Sequence, residues 1–280
     1  MNEIFAIDPS APKDLKDIKS ILDKFGMEKG RFIANFPDNW ISLILNSSSN
    51  LAELDRSRLI ILLNKFKDAL ILVKMDYQRS KSWEDNVNKI TNNIYKILAN
   101  NPNKYGFPTL ESYLWGDEII EDNSRGEHIA MTLSAYTSAV SPLFYSSTEV
   151  HVADPYFHLR DQYGNLDRRR VEVLQTFIDI ADQSLRCESI KIHFKRKFEL
   201  SESVQESEYI EDLNFILNRK KTNCVLNFDI HDDMTHGRYI FSIKGGMQFD
   251  HGFSLGNKKT NHVHWLSKKE LTPIQLIYGL

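Results

Sequence analysis

The chain has 280 residues, which is long for one compact domain and ordinary for two. Hydrophobic residues make up 41% and charged residues 26%, which is typical of globular proteins and excludes a disordered chain. The net charge is −3, so a general basic field is excluded and nucleic-acid binding would need a local patch. Two cysteines, no secretory signal pattern and no long apolar stretch lead us to expect a cytoplasmic protein without a transmembrane segment.

The first half of the chain, residues 1–145, has the apolar spacing of helices. Apolar residues recur three and four positions apart over 14–25, 51–75, 83–98 and 127–140, which predicts four helices. The aromatic segment between the first two is interpreted as an ordered connection. Because this half lacks any set of residues typical of a catalytic site, we expect an all-α domain that binds a protein partner. Such a domain would also support a homo-oligomer or place the chain in a larger complex.

The second half, residues 146–280, alternates between strand and helix patterns. Strands are predicted over 148–153, 189–194, 223–230 and 238–243, and helices over 168–185 and 206–217. Lys244, Gly245 and Gly246 predict a tight turn and a C-terminal β-hairpin. This order predicts an α/β domain with a mostly parallel sheet covered by helices, and therefore an α+β chain of two domains.

Polar side chains follow three of the predicted strands at the point where each ends. Asp154 follows the first strand, His193 and Lys195 lie at the end of the second, and His236 and Arg238 lie in the polar segment 229–239. Ligands gather at the carboxyl ends of strands in open α/β sheets. An imidazole beside a guanidinium suits a phosphodiester, because Arg contacts phosphate oxygens and His acts as nucleophile or general acid. These residues therefore predict a phosphate site, although purely structural roles for His236 and Arg238 remain open.

Two basic triplets are expected near the same edge of the sheet. They are Arg168, Arg169 and Arg170, followed by Lys195, Arg196 and Lys197. Such a patch is typical of contacts to nucleic-acid backbone or to phospholipid headgroups. Runs of this kind are also common on solvated faces, so both interpretations stand.

Histidines and aspartates in this half raise the question of a metal. One candidate set of ligands is His231, Asp232, Asp233 and His236, and a second is His251, His262 and His264. Neither spacing matches a standard zinc motif, and turns and surface strands explain both sets. Phosphate-loop and dinucleotide-binding motifs are absent from the sequence. We therefore expect no metal site and no cofactor.

Three segments of the second half resemble a known family. VHVADPYF (150–157), IKIHFK (190–195) and DMTHGRYIFSIKGGMQFDHGFSLG (233–256) resemble the phospholipase D-like fold. More narrowly, they are similar to its degenerate branch, which includes the C-terminal domain that follows microtubule-interacting-and-trafficking modules and related domains in bacterial defence gene clusters. The similarity covers residues 146–280.

The resemblance implies a catalytic motif, and this sequence departs from that motif at two positions. Active members carry H-x-K-x-x-x-x-D, in which His is the nucleophile, Lys binds phosphate, Asp supports His, and two copies meet. Here His236 matches the nucleophile, Arg238 replaces Lys, and the acid falls on Ile243. Arg fixes phosphate well but differs from Lys in geometry and proton chemistry.

Three functions follow from the resemblance. The first is a non-catalytic subunit of a bacterial anti-phage system that recognises nucleic acid or another phosphate-bearing ligand. The second is a metal-independent phosphodiesterase or nuclease that acts as a homodimer with His236 as nucleophile. The third is a peripheral protein that binds anionic lipids.

Overall fold

A computed structural model of the chain describes residues 2–48, 51–67, 70–72, 76–90, 94–116, 126–197, 201–256 and 259–280. These described residues have a mixed α/β structure and form two sheets, one of them parallel. Two compact units are present, Met1–Asp122 and Asn123–Leu280. This division lies earlier in the chain than the expected one at 145, because residues 127–146 pack in the second unit.

The first unit is built on a parallel sheet of four strands in the order β3-β2-β1-β4. The strands are β1 (Glu3–Ile7), β2 (Arg31–Ala34), β3 (Leu70–Ile71) and β4 (Lys96–Leu98). The helices are α1 (Leu15–Lys24), α2 (Trp40–Ser47), α3 (Glu53–Phe66), α4 (Trp83–Val87) and α5 (Leu110–Trp115), with a short 3-10 helix at Met27–Lys29. Apolar clusters lie on both faces of this sheet, since Phe5 and Ile7 belong to one cluster and Ala6 to another.

The prediction of an all-α first half is therefore wrong. The predicted helix 51–75 ends at Phe66 and β3 follows, and the predicted helix 83–98 ends at Val87 before β4. The segment 30–40 contains β2. Strands that are buried on both faces read as short continuous apolar runs, which periodicity cannot distinguish from buried helix. Four such short strands were missed for this reason.

The second unit has a seven-stranded sheet in the order β5-β11-β10-β9-β6-β7-β8. Its strands are β5 (Glu127–Ala130), β6 (Glu149–Ala153), β7 (Ser189–Lys195), β8 (Val225–His231), β9 (Arg238–Phe241), β10 (Gly246–Phe249) and β11 (Thr260–Trp265). Its helices are α6 (Leu133–Ser146), α7 (Arg168–Gln183), α8 (Glu202–Lys220) and α9 (Lys268–Ile277). The predicted helix 127–140 is thus divided into β5 and α6.

The prediction of a mostly parallel sheet is also wrong. β6, β7 and β8 are parallel neighbours, as the β-α-β-α-β pattern predicts. β9 pairs antiparallel with β6, and β10, β11 and β5 continue antiparallel. The predicted hairpin is confirmed by β9 and β10, whose turn is closed by a hydrogen bond from the Ser242 N–H to the Gly245 carbonyl. Short connections allow only antiparallel pairing, and they join β9 to β10 and β10 to β11.

The carboxyl ends of the parallel strands determine where the candidate site lies. The loop 232–237 joins β8 to β9, which lies on the far side of β6. It therefore crosses the carboxyl ends of β7 and β6, a distance of about 14 Å at ordinary strand spacing. One face of these strands is apolar and packs on α7 and α8, as where Phe194 stacks on Tyr209 with ring centroids 4.3 Å apart. The opposite face carries polar residues and is partly covered by Tyr278, which follows α9.

None of the helices formed by the described residues combines the length and apolarity that crossing a membrane requires.

Candidate phosphate site and a buried histidine chain

Four side chains meet beyond the carboxyl end of β6. We call Asp154, Tyr156, His236 and Arg238 the His236 cluster. The hydroxyl of Tyr156 lies 3.1 Å from Nδ1 of His236, and the two rings stack with centroids 6.2 Å apart. The Arg238 guanidinium lies 5.5 Å from the Tyr156 ring centroid. Three residues predicted for the phosphate site, Asp154, His236 and Arg238, are thus neighbours.

A buried carboxylate forms the base of the His236 cluster. Asp154 is 2% exposed and accepts hydrogen bonds from the backbone N–H of Tyr156 at 2.9 Å and of Phe253 at 3.1 Å. Nε of Arg238 lies 3.8 Å from the same carboxylate. A Cβ at Gly252 would lie 2.9 Å from Oδ2 of Asp154, so the close approach of this backbone requires glycine. Asp154 therefore ties two loops to the guanidinium.

Arg238 is held in one orientation by backbone groups as well. Its Nη1 donates to the Asp250 carbonyl at 2.9 Å and to the His236 carbonyl at 3.3 Å. Its Nε is buried and has no hydrogen-bond partner among the described residues. A guanidinium fixed in this way suits an oxyanion, because little side-chain entropy remains to be lost on binding.

The resemblance expected from the sequence puts an isoleucine where the active motif has its acid. Ile243, at the corresponding position, is 73% exposed in the turn after β9. Within the described residues, His236 has a tyrosine hydroxyl as its hydrogen-bond partner and no carboxylate. A nucleophilic histidine needs a group that orients the ring and stabilises its charged form. The cluster is thus equipped to contact an anion but lacks that orienting acid.

The other two predicted phosphate ligands lie outside the His236 cluster. His193 is fully buried within the sheet, in the histidine chain described below. Lys195 lies 3.4 Å from the carboxylate of Asp233. Both residues are on β7, one strand further from Arg238 than Asp154 is.

Most cations of the two basic triplets have partners within their own region. Arg168 pairs with Glu172 at 2.8 Å, and Arg170 donates to the His158 carbonyl at 2.8 Å. Arg196 pairs with Glu202 at 2.6 Å and with Asp232 at 3.1 Å. Lys197 donates to the Arg160 carbonyl at 3.3 Å, and Arg169 is exposed. These acids neutralise much of the charge that a continuous nucleic-acid patch would need.

A cavity of about 850 Å³ lies beside the first triplet. Its lining residues carry charges of both signs and are His158, Arg160, Asp161, Gln162, Tyr163, Gly164, Asp167, Arg170, Lys197 and Glu208. Arg160 binds the carboxylate of Asp212 through Nε at 2.9 Å and Nη2 at 2.9 Å. Burial, Lys197 and Arg170 together lower the pKa of His158 to about 4. His158 is therefore neutral in the folded protein near neutral pH.

The low pKa of His158 predicts acid sensitivity. In the unfolded chain the pKa returns to about 6.5, so the unfolded state binds more protons between pH 6.5 and 4. The protonation of His158 therefore costs no stability well above pH 6.5 and reduces stability progressively as the pH falls to 4. When the pH falls through this range, wild type should lose about 2 kcal/mol more of its free energy of unfolding than His158→Gln does. Urea titrations at pH 7.5 and pH 4.5 measure the difference, and identical pH dependence in both proteins would contradict it.

A chain of three histidines crosses the polar face of the parallel strands. Nε2 of His151 lies 2.8 Å from Oε1 of Glu149, and Nδ1 of His151 lies 2.9 Å from Nε2 of His193. Nδ1 of His193 lies 3.0 Å from Nε2 of His231. Tyr278 covers the chain, with its ring centroid 4.8 Å from that of His193. The parallel register places these residues on adjacent strands of one face.

Burial keeps the three histidines of this series neutral. It lowers the pKa of His193 to about 3 and also lowers the pKa of His151 and the pKa of His231. The hydrogen bond from His151 lowers the pKa of Glu149, which is therefore a carboxylate. Because a carboxylate only accepts, Nε2 of His151 carries the proton, and its Nδ1 accepts from Nε2–H of His193. Nδ1 of His193 is left with its lone pair directed at His231.

Neither set of metal ligands considered from the sequence is brought together. Asp232 and Asp233 pair with basic side chains. His262 and His264 lie along β11 with ring centroids 5.9 Å apart. Across the described part of the chain, one group of three potential ligands has its donor atoms within 4.8 Å of one another, namely His193, Asp229 and His231. Sequence reasoning missed this group, although the alternation of Asp229 and His231 on one strand was a usable signal.

The two cysteines, Cys187 and Cys224, are free and buried. Burial raises the pKa of Cys187 to about 12 and the pKa of Cys224 to about 11, so neither is a reactive thiolate.

Comparison with known proteins adds no family assignment to this geometry. A scan of the chain against protein-family models finds no match, and a search of curated proteins finds no match.

Proposed function

We propose that the second unit binds a phosphate group through the His236 cluster without cleaving it. The observation that carries this proposal is the guanidinium of Arg238, fixed by Asp154 and by two carbonyls beside an accessible imidazole. Such an arrangement offers charge-assisted hydrogen bonds to an oxyanion. Ile243 in the position of the motif's acid favours binding over catalysis.

The ligand that suits this cluster best is a nucleic acid or nucleotide. Tyr156 is 46% exposed and lies beside both His236 and Arg238, so its ring can stack on a base next to a bound phosphate. The paired state of most triplet residues favours recognition of one or a few phosphates over an extended backbone track. The setting proposed from the resemblance is the cytoplasm of a bacterium, within an anti-phage assembly that includes a protein partner or further copies of the chain.

Fluorescence anisotropy with labelled single-stranded DNA and RNA, at two salt concentrations, tests this proposal. We expect salt-sensitive binding that weakens about 10- to 100-fold in Arg238→Ala and in His236→Ala, since each removes a hydrogen bond to a charged group. Arg219→Ala is the matched control, because it removes the same charge from the exposed end of α8. Equal weakening in Arg219→Ala and Arg238→Ala, or no binding by wild type, would contradict the proposal.

The second candidate is the metal-independent phosphodiesterase, which the exposed imidazole of His236 favours. It predicts cleavage of the same oligonucleotides in EDTA, loss of cleavage in His236→Ala, and a homodimer in solution. Cleavage with those three properties would replace the binding proposal. Anionic vesicles run in parallel test the lipid-binding alternative, for which salt-sensitive flotation would be the supporting result.

A further inference from the structure

We propose that His193, Asp229 and His231 form a binding site for a divalent transition metal ion, and that Zn²⁺ fits it best. The site is independent of the His236 cluster, because it lies within the polar face of β7 and β8. Its three ligands come from two adjacent parallel strands whose register pairs His193 with Asp229.

The spacing of the donor atoms carries the proposal. Nδ1 of His193 lies 3.0 Å from Nε2 of His231 and 3.7 Å from Oδ2 of Asp229. Tetrahedral Zn²⁺ holds nitrogen and oxygen donors at 2.0–2.2 Å, which puts neighbouring donors about 3.3 Å apart. These two separations lie on either side of that value, and the donor atoms of all three residues lie within 4.8 Å of one another.

The neighbouring hydrogen bonds orient the first ligand. Glu149 and His151 determine the tautomer of His193 and leave its Nδ1 lone pair directed at Nε2 of His231. When a metal ion binds, the proton on Nε2 of His231 moves to Nδ1 of the same ring, so that both facing nitrogens can act as ligands. Histidine ligands of zinc characteristically donate their other ring N–H to such an outer partner, which raises their basicity. The carboxylate–histidine–histidine series supplies this partner here.

The donor types and the access route select the kind of metal. Two imidazoles and one carboxylate favour Zn²⁺ and its transition-metal neighbours over Ca²⁺ or Mg²⁺, which prefer oxygen ligands. Asp229 and His231 also line a cavity of about 320 Å³ along the edge strand β8, together with Glu202 and Glu206. Three protein ligands leave a fourth coordination position, which water or a ligand group can occupy.

Lys191 competes with a bound metal ion for the Asp229 carboxylate, so removing its charge should strengthen metal binding. Its Nζ lies 2.7 Å from Oδ2 of Asp229, the oxygen nearest to His193. A bound cation must share this oxygen with the ammonium or displace it. Lys191→Met should therefore tighten zinc binding several-fold, whereas a purely structural ion pair would give no such gain.

Equilibrium dialysis of the untagged full chain with ZnCl₂, after removal of metal by a chelator, tests the proposal. We expect one Zn²⁺ per chain by elemental analysis, and Co²⁺ in its place should show the intense visible bands of tetrahedral coordination. His231→Gln and Asp229→Asn should each weaken binding at least tenfold, and Glu149→Gln should weaken it about tenfold through His151.

His236→Gln is the matched control and should bind zinc like wild type. Circular dichroism verifies that each variant is folded. If His231→Gln does not fold, Asp229→Asn takes its place, because the Asp229 side chain is 43% exposed and tolerates substitution better. The proposal would be overturned if wild type bound no Zn²⁺, or if His231→Gln and Asp229→Asn bound Zn²⁺ as tightly as wild type. A weaker affinity in Lys191→Met would do so as well.

Discussion

Asp154→Ala is expected to lower the free energy of unfolding of the second unit by about 3–5 kcal/mol. The carboxylate is 2% exposed and accepts from two backbone N–H groups, at Tyr156 and Phe253, that would lose this partner. Removing it also deprives Arg238 of the negative charge nearest to its buried Nε. A buried donor without a partner costs about 1–3 kcal/mol, and an uncompensated charge costs more. Urea unfolding followed by circular dichroism measures the change.

Two further variants separate these causes. Asp154→Asn keeps an oxygen acceptor but removes the charge, so its effect should fall between those of wild type and Asp154→Ala. Asp250→Ala removes an exposed carboxylate from the same neighbourhood and should change stability by no more than about 0.5 kcal/mol. If Asp154→Ala were as stable as Asp250→Ala, the role given to the buried carboxylate would be wrong. Phosphate binding should be lost in Asp154→Ala, because Arg238 is no longer held in place.

Trp40→Ala should destabilise the first unit by about 3–5 kcal/mol. Trp40 is fully buried at the start of α2, and its ring centroid lies 6.0 Å from that of Phe66 in α3. Its Nε1 donates to the Ile7 carbonyl at the end of β1 at 2.6 Å. The substitution therefore leaves a large cavity between a helix pair and the sheet. It also leaves that carbonyl without its indole donor.

Trp115→Ala is the control for Trp40→Ala. Trp115 is 47% exposed at the end of α5, where the ammonium of Lys16 lies 4.1 Å from its ring centroid. Its removal forms no buried cavity, and we expect a loss of about 1 kcal/mol or less. Urea titrations of both variants by circular dichroism test the pair. Similar losses in the two variants would show that Trp40 does not have the core position assigned to it.

Much of the second unit could be predicted from local pattern. The strands β6, β7 and β8 and the helices α7 and α8 were read from the alternation and periodicity of their own residues. The turn at Lys244, Gly245 and Gly246 was readable because glycine permits a tight hairpin. The rule that parallel strands present their carboxyl ends at one edge predicted that Asp154 lies near Arg238. The structure brings the two together because the antiparallel strand β9 begins beside the end of β6.

The first unit shows where local pattern fails. β3 has only two residues and β4 has three, and each follows a helix whose apolar spacing runs on without interruption. A strand of this length has no periodicity of its own. It becomes a strand because β1 and β2 present unpaired backbone groups beside it, and this condition depends on residues distant in sequence.

Residue types and their spacing were enough to identify the groups that could carry chemistry, namely the His236–Arg238 pair and the basic triplets. How these groups combine depended on the folded unit. Strand register joined Glu149, His151, His193 and His231 into one hydrogen-bonded series, and ion pairs joined Arg196 to Asp232 and Lys195 to Asp233. Residue type and spacing can be seen in the sequence because they concern residues that are close together along the covalent chain. Contacts between strands depend instead on the packing of the whole unit.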